Sequence, residues 1–67
     1  MTRAAFERAD EAALAVLERP AMFSGAEVDL AWRLSERLEV EGIYAVVTTE
    51  EWRAIERIER VMREDHG

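Results

Sequence analysis

The 67-residue chain reads as an all-α domain, a three-helix bundle with a short extended apolar linker between the second and third helices. Three observations predict this. Two helix starts share one capping pattern, three stretches repeat apolar residues at helical spacing, and breaks at Pro20 and Gly42 divide the chain in three. The length allows a single domain over residues 1–67, near the lower size at which an apolar core holds a fold alone. Helices are expected over about 3–19, 25–41 and 49–64.

The first helix opens at Thr2, a weaker start because no acid stands three residues later. Ala5, Phe6, Ala9, Ala12, Ala13, Val16 and Leu17 fall on one arc, and the alanines let a neighbouring helix approach closely. Pro20 ends it, and the short link 20–23 forces the next helix antiparallel.

The second helix starts with Phe23, Ser24, Glu27 and Val28 at the N′, N-cap, N3 and N4 positions, a capping box with a hydrophobic staple. Its apolar positions, Val28, Leu30, Ala31, Trp32, Leu34, Ser35 and Leu38, spread over about 200° of the helix. One neighbour cannot cover so wide an arc. This helix is therefore expected to sit between the other two, or to face a partner as well. Gly42 fits the left-handed position that closes it.

Val47, Thr48, Glu51 and Trp52 repeat box and staple at the third start. Trp52, Ile55, Ile58, Val61 and Met62 make the third stripe, which runs to Glu64 and is expected to fray into Asp65, His66 and Gly67. WRLSERLE at Trp32–Glu39 resembles WRAIERIE at Trp52–Glu59, although amphipathic Arg/Glu/Leu helices converge easily on such a pattern.

Composition narrows the function classes. The absence of cysteine removes disulfides and thiolate metal sites, and a single histidine, His66, removes a His-rich centre. Paired carboxylates for acid–base chemistry or a di-metal site would need convergence in a pocket with histidines at helical spacing. Neither an enzyme nor a cofactor-binding protein is expected. The acids interleaved through residues 1–20 do not form a signal peptide, and no apolar run reaches the roughly 18 residues that a membrane span requires. The expectation is a cytoplasmic protein that engages no membrane.

The net charge of −6 is spread along the chain: residues 1–23, 24–47 and 48–67 are each negative. Nucleic-acid binding is not expected, because phosphate recognition needs a positive surplus on one face. Arg53, Arg57 and Arg60 line one ridge of the third helix, but Glu56–Arg60 and Glu59–Arg63 have the spacing of ordinary ion pairs on a solvated face. Glu7, Glu11 and Glu18 form an acidic ridge on the first helix that could dock a basic partner or remain a wetted face. Trp32 stands at the edge of its broad arc, where an aromatic serves either the core or an interface.

Residues 43–47, Ile-Tyr-Ala-Val-Val, are too apolar for a solvent-facing turn. If extended, Ile43, Ala45 and Val47 share the core side and Tyr44 and Val46 point outward, with backbone to spare for strand addition. Met22, Phe23, Ile43, Tyr44, Val46 and Val47, from the two links, either cap one end of the bundle or form a patch that a partner covers. The partner-binding candidates are thus Tyr44, Val46, Trp32, Glu7, Glu11 and Glu18. The expected function is a non-enzymatic protein–protein interaction module, a small acidic regulator or inhibitor of the antitoxin, anti-activator or phage-accessory kind, in a homo- or hetero-oligomer. The alternatives are a helix-turn-helix DNA-binding domain and a purely structural homo-oligomer.

Overall fold

A computed structural model describes residues 1–66 and contains three α-helices: α1 (Arg3–Glu18), α2 (Gly25–Glu41) and α3 (Thr49–His66). The starts lie where the capping residues place them. The Thr2 hydroxyl accepts the Ala5 N–H at 3.1 Å. At α2 the box is complete: Ser24 Oγ accepts the Glu27 N–H at 3.2 Å, and the Glu27 carboxylate accepts the Ser24 N–H at 2.9 Å. Thr48 and Glu51 exchange the same two bonds at α3, at 3.1 and 2.9 Å. Phe23 and Val28, and likewise Val47 and Trp52, are half-buried against the core, as staples require.

The ends match less closely. Pro20–Met22 forms a single 3-10 turn after α1. Gly42 closes α2 with φ 58° and ψ −139°, the first central position of a type II′ turn rather than the left-handed helical conformation. α3 does not fray at Glu64. Asp65 remains helical and accepts a hydrogen bond from the Arg19 guanidinium at 2.9 Å, so α1 holds down the last turn. Gly67, the last residue of the expected frayed end, lies outside the described residues.

The core joins Ala9, Ala12, Ala13 and Val16 of α1 to Ala31, Leu34 and Leu38 of α2, to Ala45, and to Ile55 and Ile58 of α3. The central helix is α1, so the first of the two expectations for α2, a place between the other helices, does not hold. α1 packs closely on α2 and also on α3, whereas α2 and α3 approach each other at few points. Alanine explains this: its short side chain lets neighbours lie close on two sides of one helix. The broad apolar arc of α2 is not spent between two helices. Its edge, Trp32, faces solvent, and an open groove of about 720 Å³ runs between α2 and α3, lined by Leu30, Arg33, Ala54 and Arg57 among others.

Polar contacts complete the attachment of α3. Arg8 Nε and Nη2 donate to both Glu59 oxygens at 2.7 Å, and the Arg8 guanidinium lies 5.5 Å from the Trp52 ring centre. Glu59 is thereby drawn to α1 instead of to Arg63, its expected helical partner. Among the described residues Glu56 and Arg60 form no ion pair, so the expected lacing of the α3 outer face is missing. No helix among the described residues is long and apolar enough to cross a membrane.

Candidate functional site

Four of the large exposed apolar side chains gather where α2 ends. Val40 is 78% exposed, Tyr44 84%, Val46 73% and Ile43 44%. Their display follows from the local chain path. Val40 stands on the last turn of α2 between Glu39 and Glu41, away from the core-facing Leu34 and Leu38. Gly42 then turns the chain, and residues 42–44 form a 3-10 turn whose closing bond runs from the Ala45 N–H to the Gly42 carbonyl at 3.0 Å. The linker is therefore extended only from Ala45 onward.

That path corrects part of the expected alternation. Ala45 is buried and Val47 half-buried, while Tyr44 and Val46 point outward as expected. Ile43, expected on the core side, is exposed because the 3-10 turn breaks the two-residue period before the extended segment begins. The two links cannot cap one end together, since an up-down-up bundle puts them at opposite ends. Met22 and Phe23 instead flank a cleft of about 160 Å³ with Met62 and Asp65.

Arg37 holds the segment in place. Its Nη1 donates to the Val46 carbonyl at 2.9 Å and to the two Glu51 oxygens at 2.9 and 3.0 Å. Glu51 therefore serves both the α3 cap and the clamp. Burial pushes its carboxyl pKa up, but the Arg37 hydrogen bond and the Thr48 N–H outweigh burial and leave it below the ordinary value of 4.5. At the neighbouring position the Met1 amino group donates to the Ile43 carbonyl at 2.6 Å.

Part of this backbone is already taken: the Ile43 and Val46 carbonyls and the Ala45 and Thr48 N–H groups are bonded within the chain. What the segment presents is side chains. Their surroundings are acidic: Glu36, Glu39 and Glu41 lie on the same end of α2, and its last turn carries no base to offset the negative helix terminus.

The remaining candidates lie elsewhere. Trp32 is 64% exposed, two turns before Val40 along α2. Glu7, Glu11 and Glu18 are exposed on the outer face of α1, with Glu7 tied to Arg3 at 3.4 Å. Tyr44 and Val46 thus form one surface, and the glutamate ridge forms another. Val40 and Leu14 are exposed apolar residues that the sequence reading did not single out. Val40 carried a usable signal, a valine off the apolar arc between two glutamates. No protein-family model, characterised protein or solved structure matches the chain.

Proposed function

We propose that the chain is a non-enzymatic protein-interaction module, a small acidic regulator or inhibitor in a cytoplasmic setting. The reading is supported chiefly by four large apolar side chains, Val40, Ile43, Tyr44 and Val46, held outward at one end of the bundle by a fixed backbone. A short link needs no such residues, and leaving them in water favours nothing in the isolated chain. Pre-fixed display also reduces the ordering cost that a partner would otherwise meet. The partner surface this end suits has an apolar centre and a basic rim, facing Glu36, Glu39 and Glu41.

The test is quantitative affinity capture from extract of the source cells, comparing the parent with Tyr44→Ser/Val46→Asp. Both side chains are exposed, so circular dichroism and the melting temperature should stay close to parental while the captured partner is lost. Equal capture by both chains rules out this surface. Unfolding of the double variant would assign the segment to the core.

A further inference from the structure

α3 covers one side of the hairpin that α1 and α2 make, and the ion pairs across that seam all run one way. Arg8, Arg19 and Arg37, from the hairpin, donate to Glu59, Asp65 and Glu51 of α3. The other two arginines of residues 1–41, Arg3 and Arg33, are held by Glu7 and Asp29 one turn away on their own helices. Every base of the hairpin is thus engaged, and its side away from α3 keeps acids without partners.

That side also has an apolar middle. Arg8 and Ala15 turn toward α3, so Phe6, Asp10, Leu14 and Leu17, on the opposite flank of the Ala9–Ala13–Val16 stripe, turn away from it. On α2, Leu30, Arg33 and Arg37 line the α3 side, which leaves Val28, Trp32, Ser35 and Glu39 on the other. Phe6, Leu17 and Val28 are half-buried, whereas Leu14 is 44% exposed and Trp32 64%. Asp10 stands one turn before Leu14, and Glu36 and Glu39 follow Trp32 by one and two turns. Because the helices are antiparallel, these three acids lie toward the same end, and among the described residues none has an ion-pair partner.

We propose that this side of the hairpin docks a basic amphipathic helix of a partner protein. Its apolar side covers Leu14 and Trp32, and its lysines or arginines meet Asp10, Glu36 and Glu39. α3 supplies the precedent, for it seats Ile55 and Ile58 on the same hairpin from the opposite side and answers its arginines with carboxylates. Here the free charges are acids, so the sign of the occupant is reversed. A second copy is a poor match, since this same side and α3 both carry more acid than base. A phosphate backbone is repelled. The surface is distinct from the apolar end, because Trp32 stands two turns before Val40, and it holds whether or not that end binds.

The probe is a synthetic helical peptide of leucine and lysine alone, its leucines on one side, titrated into the isotope-labelled chain by NMR. Amide shifts should gather in 6–17 and 28–39, and the Trp32 indole N–H should move while that of Trp52 stays. Leu14→Ser/Trp32→Ser changes two exposed positions and should weaken binding at least about tenfold, with helicity unchanged. Glu36→Arg/Glu39→Arg leaves the apolar pair intact and should weaken binding as much, with most of the salt dependence gone. A peptide of the same composition with leucines scattered round the helix should bind at least about tenfold more weakly. Tyr44→Ser/Val46→Asp should bind the peptide as the parent does, which separates failure here from failure at the apolar end.

No shift in the parent overturns the proposal, as do shifts centred on 40–46. Equal binding of the scattered peptide also overturns it, since the attraction is then one of charge alone. Concentration-dependent broadening of the same amides without peptide would assign this side to a second copy instead. If Leu14→Ser/Trp32→Ser loses helicity, Glu36→Arg/Glu39→Arg decides, and parental affinity in that variant overturns the proposal.

Discussion

Trp32–Glu39 of α2 and Trp52–Glu59 of α3 spell almost the same eight residues, and Leu34 and Leu38 are buried like their counterparts Ala54 and Ile58, yet the bundle treats other positions differently. Trp32 faces solvent, while Trp52 is half-buried beneath the Arg8 guanidinium. Arg37 turns to the clamp on Glu51, while its counterpart Arg57 is exposed at the groove between α2 and α3. Glu39 is exposed, while Glu59 takes both hydrogen bonds from Arg8. One position accounts for much of this. Ser35 in α2 stands where α3 has Ile55, which is fully buried. Residues three apart share a helix face, so Ile55 carries Trp52 toward the core with it, and Ser35 gives Trp32 no such neighbour. Two amphipathic sequences that look duplicated thus share a buried pair of positions and part at the residue beside it.

The sharpest way to break the contrast is Ile55→Ser. Emptying a fully buried site should cost about 3–5 kcal/mol in chemical denaturation, most of what a small domain possesses. In a Trp32→Phe background, Trp52 emission should shift to the red as that ring loses its cover. A variant that keeps its midpoint and its Trp52 emission would show that Ile55 does not set the rotation of α3.

A smaller effect separates the two arginines. Arg37→Ala removes the donor to Val46 and Glu51 and leaves a largely buried carboxylate with one partner fewer, at a cost of about 2 kcal/mol. Arg57→Ala should fall within about 0.5 kcal/mol, as exposed substitutions do. Equal denaturation midpoints for the two would remove the clamp from the account.

The smallest difference lies between the glutamates and is read by acid. The Arg8 hydrogen bonds hold the Glu59 carboxyl below its ordinary value of 4.5 against the opposing effect of burial. A depressed folded value means that the unfolded chain takes up protons first. The stabilisation is therefore complete above the ordinary glutamate range and is lost as pH falls through the lower folded value. Arg8 is half-exposed, so solvent screening limits the contribution to about 1 kcal/mol or less. Glu59→Gln should flatten stability between about pH 5 and pH 3, where ordinary and depressed glutamates titrate. An acid curve for this variant identical to that of the parent would mean that the Arg8–Glu59 pair contributes nothing.

The sequence makes legible whatever is decided within a few residues. Ser24 with Glu27 and Thr48 with Glu51 announce two starts because both partners of each bond lie in one turn. Pro20 and Gly42 announce the breaks because their backbone constraints are intrinsic. Tyr44 and Val46 could be placed outward by working back from the Val47 staple. Ile43 could not, since the 3-10 turn depends on how Gly42 leaves α2. The central place of α1, the pairing of Arg8 with Glu59 across 51 residues, and the double use of Glu51 depend on how whole helices face one another. Local spacing offered Arg63 as a partner for Glu59 no less plainly.

The position of α1 also orders the life of the chain before it is folded. α1 and α2 are joined by the six-residue link 19–24 and share the closest packing, so they can close as a hairpin at little loop entropy. α3 rests on α1, which lies one helix further back, and must return across α2 to reach it. Until it does, the hairpin lacks Ile55 and Ile58, which complete the core that Val16, Leu34 and Leu38 share. The exposed apolar area of a nascent or partly opened chain is therefore larger than that of the native surface. The carboxylates of α1, already in place on its outer side, keep such hairpins apart while α3 docks.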